Sequence, residues 1–420
     1  MTARRLWVSL ALVALLAAAL GGYYWIHKPV TPAQAAVLAS ALADGGVAAL
    51  LTLLGGGVGR RCLRGLAPEG GAPGERAAVE VALGWGLVGL TTLGLGFARL
   101  YYPVVIWVGV GLAFLISWRD ARDWAFDAIS PLRLFWVPGW LSRFAGLFVW
   151  LMLGLGLLRA LTPPLMWDAL MYHLTLPKLY AQAHQIHIDT DIVFTTVPQL
   201  PDMLYTAAFL MRGAIAAQTL GWAFGAALAL GLASHAGELL GEGLGGLAPA
   251  VLFSSLTIAA SLAWAYSELL MMLMALGGLI ALRRWSQEND RRWLWLSGLF
   301  AGLAVGCKYN AFIVPVAGAF VIALTHLHPS THSTLRRFIL HPLSFILFAF
   351  LAFVPWLLKS WLETGHPISA LLVPSGPDGA LRHWLFNRPD LAERNPLWAA
   401  LIFFRVVFLG VQGGSLYDAT

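Results

Sequence analysis

"MTARRLWVSLALVALLAAALGGYYWIHK" (Met1–Lys28) opens the chain, and its reading decides the fold. A charged start followed by the apolar run Leu6–Gly22 fits either a cleaved secretory leader or a first membrane span. A leader ends in a small-residue cleavage site, whereas this run leads into "YYWIHK", the aromatic and basic cluster expected at a membrane interface. More apolar runs follow it, so the segment reads as an uncleaved first span and the chain as an all-α polytopic membrane protein.

The rest of the sequence agrees. Of 420 residues, 59% are hydrophobic and 11% charged, against about 25% charged in ordinary soluble domains. Mean hydropathy is +0.73, and there are 19 tryptophans, a residue that collects where bilayer meets water. The net charge of +6 comes from short basic clusters between apolar runs, not from one basic face, which argues against nucleic acid as a partner. Two cysteines, Cys62 and Cys307, give neither a disulfide framework nor a cysteine metal site.

A crossing helix needs about 20 predominantly apolar residues. Spans are expected at 6–26, 34–56, 77–98, 102–118, 142–162, 214–236, 243–262, 267–282, 292–306, 309–326 and 338–358, with a further one beginning near 396. That makes about 11 transmembrane helices. Arg4 and Arg5; Arg60, Arg61, Arg64 and Arg76; Arg119, Arg122 and Arg133; Arg283, Arg284, Arg291 and Arg292; and Arg336 and Arg337 then fall on one side. Short basic loops stay in the cytoplasm, so the N-terminus is expected to be cytoplasmic. "GRRCLRGLAPEGGAPGER" reads as a cytoplasmic linker, and "QLPDMLYTAAFLMRG" (Gln199–Gly213), too short to cross, as a helix lying at the outer interface.

The long first outer loop, Thr162–Leu200, contains "PPLMWDALMYHLTLPKLY" (Pro163–Tyr180), consistent with a short amphipathic helix on the membrane surface. Asp168, at its start, serves either as a helix cap or as a general base beside the membrane. Lys178 is a point cation suited to a phosphate or to snorkelling, and Tyr172 and His173 are candidates for contacting an acceptor. "HQIHIDTD" groups His184, His187, Asp189 and Asp191, but its spacing matches no strong ligand signature, so no metal or other cofactor is expected to be required. Glu268 stands at the outer end of a span, Lys308 at the junction in "GLAVGCKYNAF", and Lys359 between two tryptophans in "PWLLKSWLETGHP".

"WDALMYHLTLPKLY", "VPQLPDMLYTAAFLMRG", "AYSELLMMLMALGGLIAL", "GLFAGLAVGCKYNAF" and "VPWLLKSWLETGHPISALL", in this order and all read as outward-facing, resemble the GT-C class of membrane glycosyltransferases. The nearest likeness is to the bacterial branch related to protein mannosyltransferases and to the aminoarabinose transferase of lipid A. The resemblance spans about 145 to 420. It implies a GT-C-like domain over 144–420 preceded by a four-helix membrane extension over 1–143. It implies inverting transfer of a sugar from a polyprenyl-phosphate donor to a lipid, glycan or protein acceptor at the outer face of the cytoplasmic membrane. Asp168 would be the catalytic base and Glu268 the second acid, where the class more often has aspartate. Lys308 and Lys359, with Lys178, would meet the donor phosphate. The class carries further outer-loop and membrane segments where this sequence ends at "GGSLYDAT", so the sequence reads as a truncated or short member. The alternatives are a polytopic transporter, which would place charges near the bilayer midplane on discontinuous, repeated helices, and a catalytically inactive scaffold of the same fold.

Overall fold

The computed structural model describes residues 3–27, 31–66, 71–129, 139–187, 192–327 and 335–368, together with positions 373, 380–381 and 401. Every regular element among the described residues is helical. Among the described residues seven helices are long and apolar enough to cross a membrane: α2 (Pro32–Leu66), α3 (Pro73–Phe97), α4 (Pro103–Ile129), α5 (Trp140–Ala160), α8 (Ala214–Leu240), α11 (Glu268–Glu288) and the Arg337–Thr364 part of α14 (Leu335–Thr364). The chain is a membrane-embedded helical protein.

Among the described residues length and apolarity thus support seven crossings, and the expected eleven are not confirmed. The segment expected to span 243–262 is two short helices, α9 (Leu247–Ser254) and α10 (Leu256–Ser261), parted by extended backbone at Ser255. Helices α12 (Arg291–Cys307) and α13 (Ile313–Leu327) have 17 and 15 residues, about 25 and 22 Å of helix. The first expected span is helical over α1 (Ala3–His27), and the one expected near 396 lies outside the described residues.

Two further expectations change. Helix α2 runs on through Arg60, Arg61 and Arg64 to Leu66 and α3 begins at Pro73, so both ends of the expected linker are helix. These arginines stay helical because Arg60 pairs with Asp127 at 2.6 Å and Arg64 with Asp120 at 2.6 Å, both on α4. Helix α7 (Leu200–Met211) does not lie on an interface: every residue but Phe209 is buried. A helix apolar nearly all round belongs in a core, and α7 packs against α3, α8 and α6 (Thr175–Ala183). Arg212, which follows α7, pairs with Asp44 of α2 at 3.3 Å.

The expected segregation of charge appears as the two ends of one bundle. At one end Glu75 of α3 receives His235 at 2.6 Å and Arg284 at 3.0 Å, and Glu80 receives Arg76 at 2.9 Å. Helix α11 runs from this end, at Arg283 and Arg284, to Glu268 at the other, and α12 runs from Arg291 and Arg292 to the neighbourhood of Lys308. The arginine clusters and the candidate site therefore occupy opposite ends.

The bundle is tied by backbone approach rather than by large side chains. Gly84 of α3 faces Gly55 of α2 so closely that a β-carbon on Gly84 would lie 1.8 Å from the Gly55 carbonyl oxygen. Small residues at helix crossings give membrane bundles their dispersion contact, because lipid supplies no hydrophobic drive between helices. Within the 1–143 segment, α3 also packs on α7, α8 and α11, and the Trp85 ring lies 4.7 Å from that of Phe224. The first helices are thus part of the same core as those that carry the candidate site.

Candidate functional site

Helix α5 ends at Ala160, and the chain resumes after Pro163 and Pro164, which cannot continue it. It restarts as a single π turn, Ala169–His173, closed by the Leu174 N–H donating to the Ala169 carbonyl at 2.8 Å. In an α-helix Asp168 and His173, five residues apart, would point about 140° from one another. The wider π turn brings them closer to one face, with Tyr172, and such turns recur at functional sites. Asp168 stands at the cap position, yet its side chain makes no capping bond. Its half-buried carboxylate is not spent on the helix start, and its backbone N–H donates to the Tyr266 hydroxyl at 3.3 Å.

His173 is buried, and its Nδ1 lies 2.6 Å from Oδ1 of Asp202 on α7. Sequence reasoning missed Asp202. The signal was present, a lone carboxylate inside an apolar helix, but an interfacial reading of α7 left that acid in water where it needed no partner. Burial pushes the Asp202 carboxyl up from its ordinary value, and the His173 ring and Lys359 oppose that shift. The other ring nitrogen of His173, Nε2, is buried without a hydrogen-bond partner among the described residues.

Tyr266, also not singled out in the sequence, joins these groups. Its hydroxyl accepts from Asp168, its carbonyl accepts from the Tyr205 hydroxyl at 2.6 Å, and its ring lies 5.6 Å from that of His173. Burial and the nearby Asp168 and Glu268 charges hold its phenol above the ordinary value. Tyr172 is raised likewise by burial and by Asp168, Asp202 and Glu268; its ring stacks on Phe194 at 4.2 Å.

Two residues beyond Tyr266, Glu268 begins α11, where the helix dipole favours a carboxylate. Its Oε1 accepts from Lys308 Nζ at 2.6 Å, and both side chains remain about one-third exposed. Its Oε2 and the neighbouring Ser267 Oγ are buried and unpartnered among the described residues. Asp168, Tyr172, His173, Glu268 and Lys308, scattered over more than 130 residues of sequence, therefore form one cluster, completed by Asp202 and Tyr266.

The other two lysines lie apart from the Glu268–Lys308 pair. Lys359 does not emerge beyond its helix, because α14 continues to Thr364. It is 1% exposed, donates to the Thr195 carbonyl and pairs with Glu363 at 3.0 Å, so its ammonium is held by a buried acid. Lys178 is exposed on α6, whose Leu176, Pro177 and Tyr180 are buried, as the amphipathic reading expected. Among the described residues it forms no ion pair with the cluster.

The histidines of "HQIHIDTD" serve as packing. His184 Nδ1 lies 3.0 Å from the Tyr101 carbonyl and its ring stacks on Tyr102 at 4.0 Å; Asp189 and Asp191 lie outside the described residues. Among the described residues no group of three potential ligands is placed to hold a metal ion.

The cluster combines a half-buried carboxylate, a partly exposed acid–lysine pair and a buried histidine–acid pair. Such a set can orient a hydroxyl, take its proton and neutralise an anion. No protein family, no curated protein and no solved structure matches the chain.

Proposed function

We propose that this protein transfers a sugar from a polyprenyl-phosphate donor to an acceptor at the outer face of the cytoplasmic membrane, with inversion, and that Asp168 is the general base. The observation that carries the reading is the meeting of Asp168, uncommitted to helix capping, with the solvent-open Glu268–Lys308 pair at the bundle end away from the arginines. In this transfer the acceptor oxygen forms a bond to the anomeric carbon. The bond from that carbon to the phosphate oxygen breaks with its electron pair, and the acceptor proton passes to the Asp168 carboxylate. A positioned base contributes roughly a hundred- to ten-thousand-fold to such a step, and Lys308 neutralises the charge left on the phosphate. A donor whose tail stays in lipid reaches a site at the helix ends without leaving the bilayer.

The test is sugar transfer by purified protein in nanodiscs. Asp168→Asn is expected to abolish transfer while folding and donor binding persist; full activity in that variant would remove Asp168 from the mechanism.

Transport draws support from one feature, the break between α9 and α10, since transporters build sites on discontinuous helices. Ser254, Ser255 and Leu256 at the break are all exposed, Leu256 at 84%, so the break faces away from the packed core instead of lining an internal site.

A further inference from the structure

The cluster holds three polar atoms that its own contacts leave unused: His173 Nε2, Ser267 Oγ and Glu268 Oε2. His173 and Ser267 are 4% and 2% exposed, so neither reaches bulk water in place of a partner. Leaving a buried polar atom without a hydrogen bond costs about 1–3 kcal/mol, and a site that carries three in one neighbourhood is built to receive something. They share that neighbourhood because the His173 ring packs on Tyr266, the residue before Ser267, and the ring lies within electrostatic range of the Glu268 carboxylate.

The chemistry of the three atoms selects their ligand. Glu268 Oε2, ionised opposite Lys308, only accepts. Ser267 Oγ donates or accepts. His173 Nε2 accepts when Nδ1 carries the ring proton toward Asp202, and donates when both nitrogens are protonated or Asp202 keeps the shared proton. A phosphate oxygen would be set against the Glu268 carboxylate. A hydroxyl group donates and accepts, and so fits all three atoms in every protonation state of the His173–Asp202 pair.

We infer that His173, Ser267 and Glu268 form a subsite for the hydroxyl groups of the lipid-borne sugar, separate from the Lys308 ammonium that meets its phosphate. The inference rests on the proposed transfer reaction. It assigns the hydroxyls to the donor sugar because one carboxylate spans both halves of the site. Glu268 holds Lys308 with Oε1 and offers Oε2 to the ligand, so whatever hydroxyl it binds lies next to the phosphate. Asp202 is then a positioning residue, which fixes the His173 ring without touching the ligand.

Binding to the full chain in nanodiscs tests this with two probes: bare polyprenyl phosphate, and a set of hexosyl and pentosyl polyprenyl phosphates. Wild type is expected to bind at least one sugar-bearing lipid about tenfold or more tighter than the bare lipid, the equivalent of one or two well-made hydrogen bonds. Ser267→Ala is expected to cut that ratio about threefold. His173→Phe alone strands the Asp202 charge in the core, so the double variant His173→Phe, Asp202→Leu replaces the pair with apolar groups of similar size and is expected to bring the ratio to about one. A ratio unchanged in both variants overturns the subsite. Equal wild-type affinity for bare and sugar-bearing lipids also overturns it, since the three atoms then serve water or the acceptor only, while the transfer reading stands. Failure of wild type to bind either lipid overturns the transfer reading itself and the subsite with it.

Discussion

Lys308 Nζ lies 2.6 Å from Glu268 Oε1, joining the end of α12 to the start of α11 at the mouth of the cluster. Both groups are about one-third exposed, so solvent screens the pair and its contribution to folding is at most about 1 kcal/mol. Its value lies instead in holding a cation where an anion arrives. Lys308→Met is therefore expected to leave the thermal midpoint within about 2 °C, and to weaken polyprenyl-phosphate binding at least about tenfold. Thermal unfolding and lipid titration on the same preparation check both halves. A large loss of stability with undiminished lipid binding would make the pair a structural strut.

The His173–Asp202 pair behaves oppositely, because both partners are buried. Removing one partner strands the other, at a cost of about 3–5 kcal/mol, so His173→Ala is expected to lower the unfolding midpoint by far more than Lys308→Met.

The same pair predicts a direction of pH dependence. Helix α7 lies outside the seven spans, and burial raises the Asp202 carboxyl above its ordinary 3.8. Between 3.8 and the raised value the folded state holds the proton that the unfolded chain has lost. Its contribution to stability is therefore full below 3.8 and is lost as pH rises through that window. Asp202→Asn is expected to remove this part of the slope in unfolding midpoint against pH. An identical slope in the variant would mean that another group sets it.

The membrane class and the gathering of five candidate residues at the bundle end away from the arginines were legible in the sequence for physical reasons. Apolar run length reports crossing helices directly, and arginine clusters report sidedness because charge does not cross a bilayer. What stayed hidden depended on tertiary partners. Arg60 and Arg64 continue α2 only because Asp127 and Asp120 receive them, and no local pattern in "GRRCLRG" reveals acids some 60 residues away. Asp202 escaped notice because α7 is as apolar as an interfacial helix but has no exposed face, a difference that packing alone decides. Lys359 looked like a lysine at a membrane exit, and its burial follows from Glu363, one turn on, which turns an exposed cation into an internal pair.

Close backbone approach makes another prediction. On Gly302 of α12 a β-carbon would sit 2.0 Å from the Ala349 carbonyl oxygen of α14, a backbone atom that cannot swing aside. Gly302→Val should therefore force α12 and α14 apart, at or beyond the roughly 3 kcal/mol upper end of ordinary over-packing. Gly154, with nothing within 4 Å of the same added atom, is the control, and Gly154→Ala should be nearly silent. Equal midpoints for the two variants would show that α12 and α14 are not in close backbone contact at Gly302.

The proposed chemistry finally depends on which compartment the cluster faces, and cysteine accessibility decides this. Lys178 is exposed on α6, five residues after the buried His173 that ends the π turn, while Arg122 is exposed on α4 among the arginine clusters. In a background where Cys62 and Cys307 are replaced by serine and alanine, Lys178→Cys is expected to react with a membrane-impermeant maleimide in intact cells. Arg122→Cys should react only after permeabilisation, because arginine-rich loops stay on the cytoplasmic side. The reverse pattern would place Asp168 in the cytosol, away from a donor that offers its head group at the outer leaflet, and the transfer reading would fall whatever the geometry of the cluster.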